Sequence, residues 1–264
     1  MDTLEIDGNY GEGGGQILRS SLSLSAILNR PIRISGIRAG RKKPGLAPQH
    51  LTSVNAVATI TNAKVIGGQL GSQTLTFRPQ EISGGNYIFD VADIRPSAGA
   101  LSLVFQSIAL PLAYAKVAST VILRGGTHVP WSPNIHYLRK VFIPMAARFG
   151  FEGSIQLNRW GWYPKGGGEA IAQVQPVADW QSVEFAHRGK LQTIHGVSAV
   201  SNLPEHIINR QHNQITKRLA GVDSPVNIER EKGDSLGQGT LVFLQAEFEN
   251  VQAGFSALGA RGKP

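Results

Sequence analysis

Apolar and polar positions along this chain follow two rhythms, period two and period 3.6, which alternate in an order that repeats once. Leu4–Ile6 reads as a short strand, and Ile17, Leu18, Leu22, Leu24 and Leu28 follow at helical spacing. A strand at Ile32–Ile37 leads to a helix from about Pro48 to Ile60, with Leu51, Val54 and Ala58 on one face. Two short strands, Lys64–Ile66 and Thr74–Phe77, end at Pro79. The same order then recurs. Tyr87–Val91 predicts a strand, and Leu101, Val104, Phe105 and Ile108 a helix. Val121–Leu123 predicts the next strand, and Ile135, Leu138, Phe142, Met145 and Phe149 the next helix. Strands at Ser154–Leu157 and Glu169–Val174 end at Pro176. Two strand-helix-strand-helix-strand-strand units, about 1–80 and 84–178, predict an α/β (α+β) domain built by duplication over residues 1–182.

After Trp180 the pattern changes. Residues 183–264 read strand, strand, helix, strand, strand, with the helix from about Pro204 to Leu219 and Ile208, Ile215 and Leu219 on one face. This predicts a smaller α/β domain, and the tail from Gly254 to Pro264 reads as loop.

The loop before the first helix carries the first candidate chemistry. In Gly11-Glu12-Gly13-Gly14-Gly15-Gln16-Ile17-Leu18-Arg19, four glycines leave little side chain between the backbone and a ligand. A helix N-terminus has unpaired N–H groups and a positive dipole end, which suit phosphate. A flexible turn before a core helix is the plainer alternative. The loop is not a P-loop, and Gln16 stands where a dinucleotide fingerprint needs its third glycine.

Charge sharpens this picture. The chain has 264 residues, a net charge of +8 and no cysteine. Disulfides, thiolate metal sites and cysteine nucleophiles are therefore excluded. Arg30, Arg33, Arg38, Arg41, Lys42 and Lys43 cluster in one short stretch, and clustered cations draw polyanions. No signal peptide and no bilayer-length apolar run are present in the sequence, so a cytoplasmic protein without membrane association is expected.

Several motifs together resemble the RNA 3'-terminal phosphate cyclase family. They are the glycine loop through Ser20, then Ile37-Arg38-Ala39-Gly40-Arg41-Lys42-Lys43-Pro44-Gly45-Leu46, and Gln49-His50-Leu51. Gly71-Ser72-Gln73, Phe105-Gln106, Gly125-Gly126-Thr127 and Gly161-Trp162-Tyr163-Pro164-Lys165-Gly166-Gly167-Gly168 add to the likeness, which runs along the whole chain. The resemblance implies a large domain of three repeated units with a small α/β domain inserted before or within the third. It implies ATP-dependent conversion of an RNA 3'-phosphate to a 2',3'-cyclic phosphate, with a divalent cation, Mg²⁺ or Mn²⁺. A histidine takes AMP from ATP and passes it to the RNA 3'-phosphate. The vicinal 2'-hydroxyl then attacks that phosphorus and expels AMP, so only RNA can be cyclised. Against this pattern a third unit is missing from the sequence, and with it the nucleophilic histidine. A C-terminally truncated member is expected, with an apolar surface left for self-association.

At positions matching the family, Arg19, Arg38 and Arg41 are assigned to RNA phosphate and triphosphate, since guanidinium forks suit phosphate. Gln49 and His50 are placed to reach the same anion. Glu12 is the expected Mg²⁺ ligand, because hard cations take carboxylate oxygen. Gln106 matches a glutamine that contacts ATP, the alternative being a buried amide bonded to backbone. Lys42 and Lys43 read equally as solvated surface. None of the seven histidines occupies the nucleophile motif, so no catalytic histidine is assigned. The alternatives are a non-catalytic cyclase-like protein for RNA binding or ribosome assembly, and the distantly related enolpyruvyl transferases. Retention of Glu12, Arg19, Arg38 and Arg41 disfavours the first, and the cyclase-type motifs disfavour the second.

Overall fold

In the computed structural model, which describes residues 2–260 and 262, each repeat forms one four-stranded sheet. The first unit holds β1 (Leu4–Asp7), α1 (Gly15–Ile27), β2 (Ile32–Ser35), α2 (Pro48–Thr61), β3 (Lys64–Ile66) and β4 (Leu75–Arg78). Its strand order is β1-β2-β4-β3, with β1 and β2 parallel and the rest antiparallel. The second unit holds β5 (Asn86–Asp90), α3 (Leu101–Ala113), β6 (Ser119–Gly125), a broken helix, β7 (Gly153–Arg159) and β8 (Gly168–Val174). Its order, β5-β6-β8-β7, reproduces the first position for position, with β5 and β6 parallel. The duplication read from the sequence is thus a duplication of topology.

Period-two patterning explains how the sheets face inward. Alternate residues of β2, β4, β6 and β8 are buried, so each sheet has one apolar face. Leu18 and Leu22 of α1, Val54, Val57 and Ile60 of α2, and Phe105, Ile108 and Leu112 of α3 pack between those faces. One continuous core therefore joins both units. The second helix of unit two is not regular. It runs as α4 (Ile135–Tyr137), a π-helical turn (Leu138–Phe142) and α5 (Ile143–Ala147). Phe149 lies beyond its end, although its spacing continues the helical series.

The small domain departs from expectation in its order. A single strand, β9 (Leu191–Ser201), precedes α6 (Glu205–Leu219), and three strands follow: β10 (Val226–Lys232), β11 (Gly239–Phe248) and β12 (Gln252–Leu258). The tail expected as loop from Gly254 is in fact the outer strand of a β10-β9-β11-β12 sheet as far as Leu258. Arg261, Lys263 and Pro264 lie outside the described residues. The β9–α6–β10 crossover is parallel, and β9 is buried without interruption from Gly196 to Ser201. That continuous burial follows from cover on both faces. Ile208 and Ile215 of α6 are buried in the small domain, and Val197, Ala199, Leu241 and Phe243 of its sheet pack on Val141, Trp160 and Trp162 of unit two.

One apolar face stays open. A cleft of about 640 Å³ is lined by Leu24, Leu110, Phe142, Met145, Phe149 and Trp180, with Arg19 and Gln106 also on its wall. Leu24, Leu110, Phe142 and Phe149 are all exposed. Among the described residues, no helix is long and apolar enough to cross a membrane.

Candidate functional site

The carboxyl ends of the parallel strands β1 and β2 release two loops side by side. Ligands of α/β sheets collect at such ends, because neighbouring loops diverge there and expose helix N-termini. The loop after β1 is the glycine run feeding α1, and the loop after β2 is the basic run feeding α2. The N-terminus of α1 has no side-chain cap and no acidic residue in its first turn. Its free N–H groups and dipole end are left for an outside partner.

Arg19 is the fifth residue of α1, one turn in from that end, and is only 7% exposed. Its Nε donates to Gln106 Oε1 and its Nη2 to Gln16 Oε1, each at 3.1 Å. Both partners are neutral, and among the described residues no carboxylate lies within ion-pair distance of it. Burial pushes the guanidinium down to about 10. A buried cation held by carboxamides alone is costly to the fold and is complementary to an incoming anion. Gln106 is exposed, not the buried amide that was the alternative.

His50 completes the inner wall. It occupies the third position of α2, where its Nδ1 accepts the Ala47 N–H at 3.2 Å as half of a capping box. A neutral imidazole whose Nδ1 accepts must carry its proton on Nε2. Nε2 lies against Gly15: a Cβ there would collide with it and come within 2.8 Å of Arg19 Nη1. Glycine is thus required at position 15 for these two donors to converge. Burial, then Arg38 and Arg19, push His50 down to about 3, so it stays neutral and serves as a donor.

The outer wall is built by the second loop. Arg38 has φ +53°, rare for a residue with a side chain, and its Nη1 donates to the Gly45 carbonyl at 2.7 Å. Burial and then Arg41 lower its affinity for its proton. Gly45, at φ +76°, lets the loop turn directly onto the Gly71 carbonyl, which a Cβ would strike. The segment Gly71-Ser72-Gln73 clamps the loop by three backbone bonds to Leu46 and Ile37. That motif therefore supports the site without lining it. Arg41 and Glu12 form an exposed pair at 3.1 Å, and Lys42 and Lys43 are exposed.

Gln49 faces the other unit. Its Oε1 accepts the Ala100 N–H at 2.9 Å, at the N-terminus of α3. Its carboxamide oxygen is thereby committed to joining the units, while its Nε2 amide makes no hydrogen bond among the described residues. Among these residues no group of three metal-ligating side chains occurs. Glu12 is a lone carboxylate, a donor set that fits a Mg²⁺ held jointly with substrate phosphates and water.

The neutral His50 has a measurable consequence. Its folded-state value, about 3, lies below its ordinary 6.5, so the unfolded chain binds the extra proton first as pH falls. The stability tied to this group is complete above pH 6.5 and declines as pH drops through that value towards 3, with about 2 kcal/mol lost by pH 5. His50→Asn keeps an acceptor for Ala47. Its stability should fall less steeply over the same range in pH-dependent urea denaturation, and an unchanged slope would contradict the assignment.

Comparison with known proteins places the chain in a family. The family model for RNA 3'-terminal phosphate cyclase matches residues 10–251. The chain is 50% identical to the RNA 3'-terminal phosphate cyclase of Gloeothece citriformis, over 99% of this chain and 75% of that protein. It is 45% identical to that of Methylococcus capsulatus, over 100% and 74%. It is 43% identical to that of Pyrobaculum aerophilum, over 99% and 74%. The match begins after β1 and ends before β12, and takes in the glycine loop, the basic loop, the second unit and the small domain as far as β11. The chain belongs to the RNA 3'-terminal phosphate cyclase family.

Proposed function

We propose that this chain seats the phosphorylated 3' end of RNA between Arg19, His50 and the N-terminus of α1, as part of an ATP-dependent cyclisation. The observation that carries the reading is Arg19, a buried cation whose only partners among the described residues are carboxamides, beside an uncapped helix end. Arg38 and Arg41 stand at the outer side of the pocket, placed for the triphosphate of ATP or the next RNA phosphate. The exposed Glu12 carboxylate is free to exchange Arg41 for Mg²⁺ or Mn²⁺, which would supply charge neutralisation for the crowded phosphates. Gln106 holds Arg19 in line and lies on the wall where the nucleotide is expected.

The residues act as binders and donors. The Nε2–H of His50 and the Arg19 fork hold the terminal phosphate oxygens and leave the phosphorus open to activation. The 2'-hydroxyl, absent from DNA, then selects RNA. The experiment is direct: the affinity for RNA ending in 3'-phosphate is compared with that for the same RNA ending in 3'-hydroxyl. Tighter binding of the phosphorylated end is expected, and equal affinity would contradict the site.

The open apolar cleft belongs to the same proposal. A third unit packed on α1, α3 and α5 would cover Leu24, Leu110, Phe142 and Phe149. In a chain of these 264 residues the face stays uncovered, and an exposed patch of several hundred Å² favours association. Sedimentation at rising concentration should show self-association, and Phe149→Glu should suppress it. A concentration-independent monomer would contradict this.

A further inference from the structure

Away from the arginine site, a chain of four side chains, three of them buried, crosses from unit two into the small domain. Thr127 Oγ1 meets His128 Nδ1 at 2.7 Å, and His128 Nε2 meets His136 Nδ1 at 2.9 Å. His136 Nε2 meets Glu231 Oε2 at 3.0 Å. The two histidines are 1% and 2% exposed, while the Glu231 side chain is 35% exposed. Thr127 and His128 follow β6, His136 lies in α4, and Glu231 lies on β10 of the small domain. The His128 ring stacks on Trp160 at 4.4 Å, and Trp162 and Phe243 close the remaining sides. The charged groups felt by Glu231 besides His136 are Arg139 and Lys140 of the π-helical turn.

The geometry allows one direction of donation at a time. A carboxylate only accepts, so His136 donates from Nε2 and accepts at Nδ1. His128 must then donate from Nε2 and accept at Nδ1 from the Thr127 hydroxyl. Adding one proton reverses the inner links without breaking any. His136 becomes doubly protonated and donates from Nδ1, and His128 accepts at Nε2. The His128 proton now sits on Nδ1 and is donated to Thr127 Oγ1. The Thr127 hydroxyl turns to the Gly161 carbonyl, 3.3 Å away. The net change is one proton gained, and a neutral histidine–carboxylate hydrogen bond becomes a part-buried ion pair across the domain interface.

We propose that the Thr127–His128–His136–Glu231 chain is a one-proton relay that latches the small domain onto unit two, tightening when the proton is taken up. His128 remains neutral in both states and only changes tautomer. This agrees with burial and His136 holding it well below the ordinary histidine range. The Glu231 carboxylate is held below its ordinary value, first by the His136 hydrogen bond, so it remains charged while the relay loads.

Ring ¹⁵N spectra of the histidines in the 264-residue chain test the relay. At neutral pH both His128 and His136 should carry the proton on Nε2. As pH falls, His136 should become doubly protonated and His128 should switch to the Nδ1–H form at one common midpoint. Glu231→Gln keeps an acceptor for His136 but removes the charge, and should weaken proton uptake about tenfold or more. Across the same transition, hydrogen exchange of the β10 amides, corrected for intrinsic rates, should slow in the unsubstituted chain and not in Glu231→Gln. The relay is overturned if His128 keeps its Nε2 proton throughout, or if Glu231→Gln titrates at the original midpoint. The latch is overturned if β10 protection does not change across the transition.

Discussion

Replacing Arg19 by methionine should make this chain more stable and at the same time abolish its preference for a phosphorylated RNA 3' end. Both effects share one cause. Holding the Arg19 value down at about 10, below the ordinary guanidinium range, is a desolvation cost of about 3 kcal/mol in the folded state. The guanidinium is charged in both folded and unfolded chains at neutral pH, so the cost is present throughout the physiological range. It is relieved only as pH rises through the folded-state value. Hydrogen bonds to Gln16 and Gln106 recover part of it, so Arg19→Met should raise stability by about 1–2 kcal/mol. The same substitution removes the fork aimed at the phosphate, worth about 1.5–3 kcal/mol for a hydrogen bond to a charged group, or roughly 10- to 100-fold in affinity. Thermal melts and RNA titrations on one preparation check both. A destabilised Arg19→Met would mean that Arg19 serves the fold, and retained discrimination would mean that the anion sits elsewhere.

The second large effect is an expected absence of reaction. A chain of these 264 residues, incubated with α-labelled ATP and Mg²⁺, should acquire no covalent nucleotide. Nucleotidyl transfer to protein needs a positioned nucleophile with a free lone pair. His50 is the histidine that faces the arginines, but its Nδ1 accepts from Ala47 and its Nε2 carries the proton. The other two buried histidines, His128 and His136, are enclosed by Trp160, Trp162 and Phe243 and bonded to one another. His187, His195 and His206 are exposed on the small domain, and His212 meets Arg230 there. Stoichiometric label on any histidine would overturn this reading, and the labelled residue would identify the nucleophile.

The sequence was most legible where one rhythm ran cleanly. In both units, half-buried strands alternate and helices carry a wide apolar stripe, so element order was recoverable to within a residue or two. The small domain was harder because β9 is buried on both faces and loses its alternation, and Gly196 in its middle reads as a break. Strand β12 was read as loop because Gln252-Ala253-Gly254-Phe255-Ser256-Ala257-Leu258 lacks β-branched residues; it is held by pairing with β11. At the candidate site, the motifs singled out two loops that lie side by side in the fold, but not the contacts made within them. That Gln49 ties the two units together depends on a backbone group 51 positions away. That Glu12 pairs with Arg41 depends on the folded approach of two loops. The His128–His136–Glu231 chain left no local signal, since its members come from three separate elements.

The most direct test of the site is the affinity of the unsubstituted chain for two oligoribonucleotides that differ only at the terminus, one with a 3'-phosphate and one with a 3'-hydroxyl. A buried, uncompensated Arg19 beside the donor face of His50 predicts tighter binding of the phosphorylated end by roughly 10-fold or more, from a charge-assisted contact. Equal affinity for the two ends would contradict the account, because Arg19 would then be a buried cation with no anion to meet.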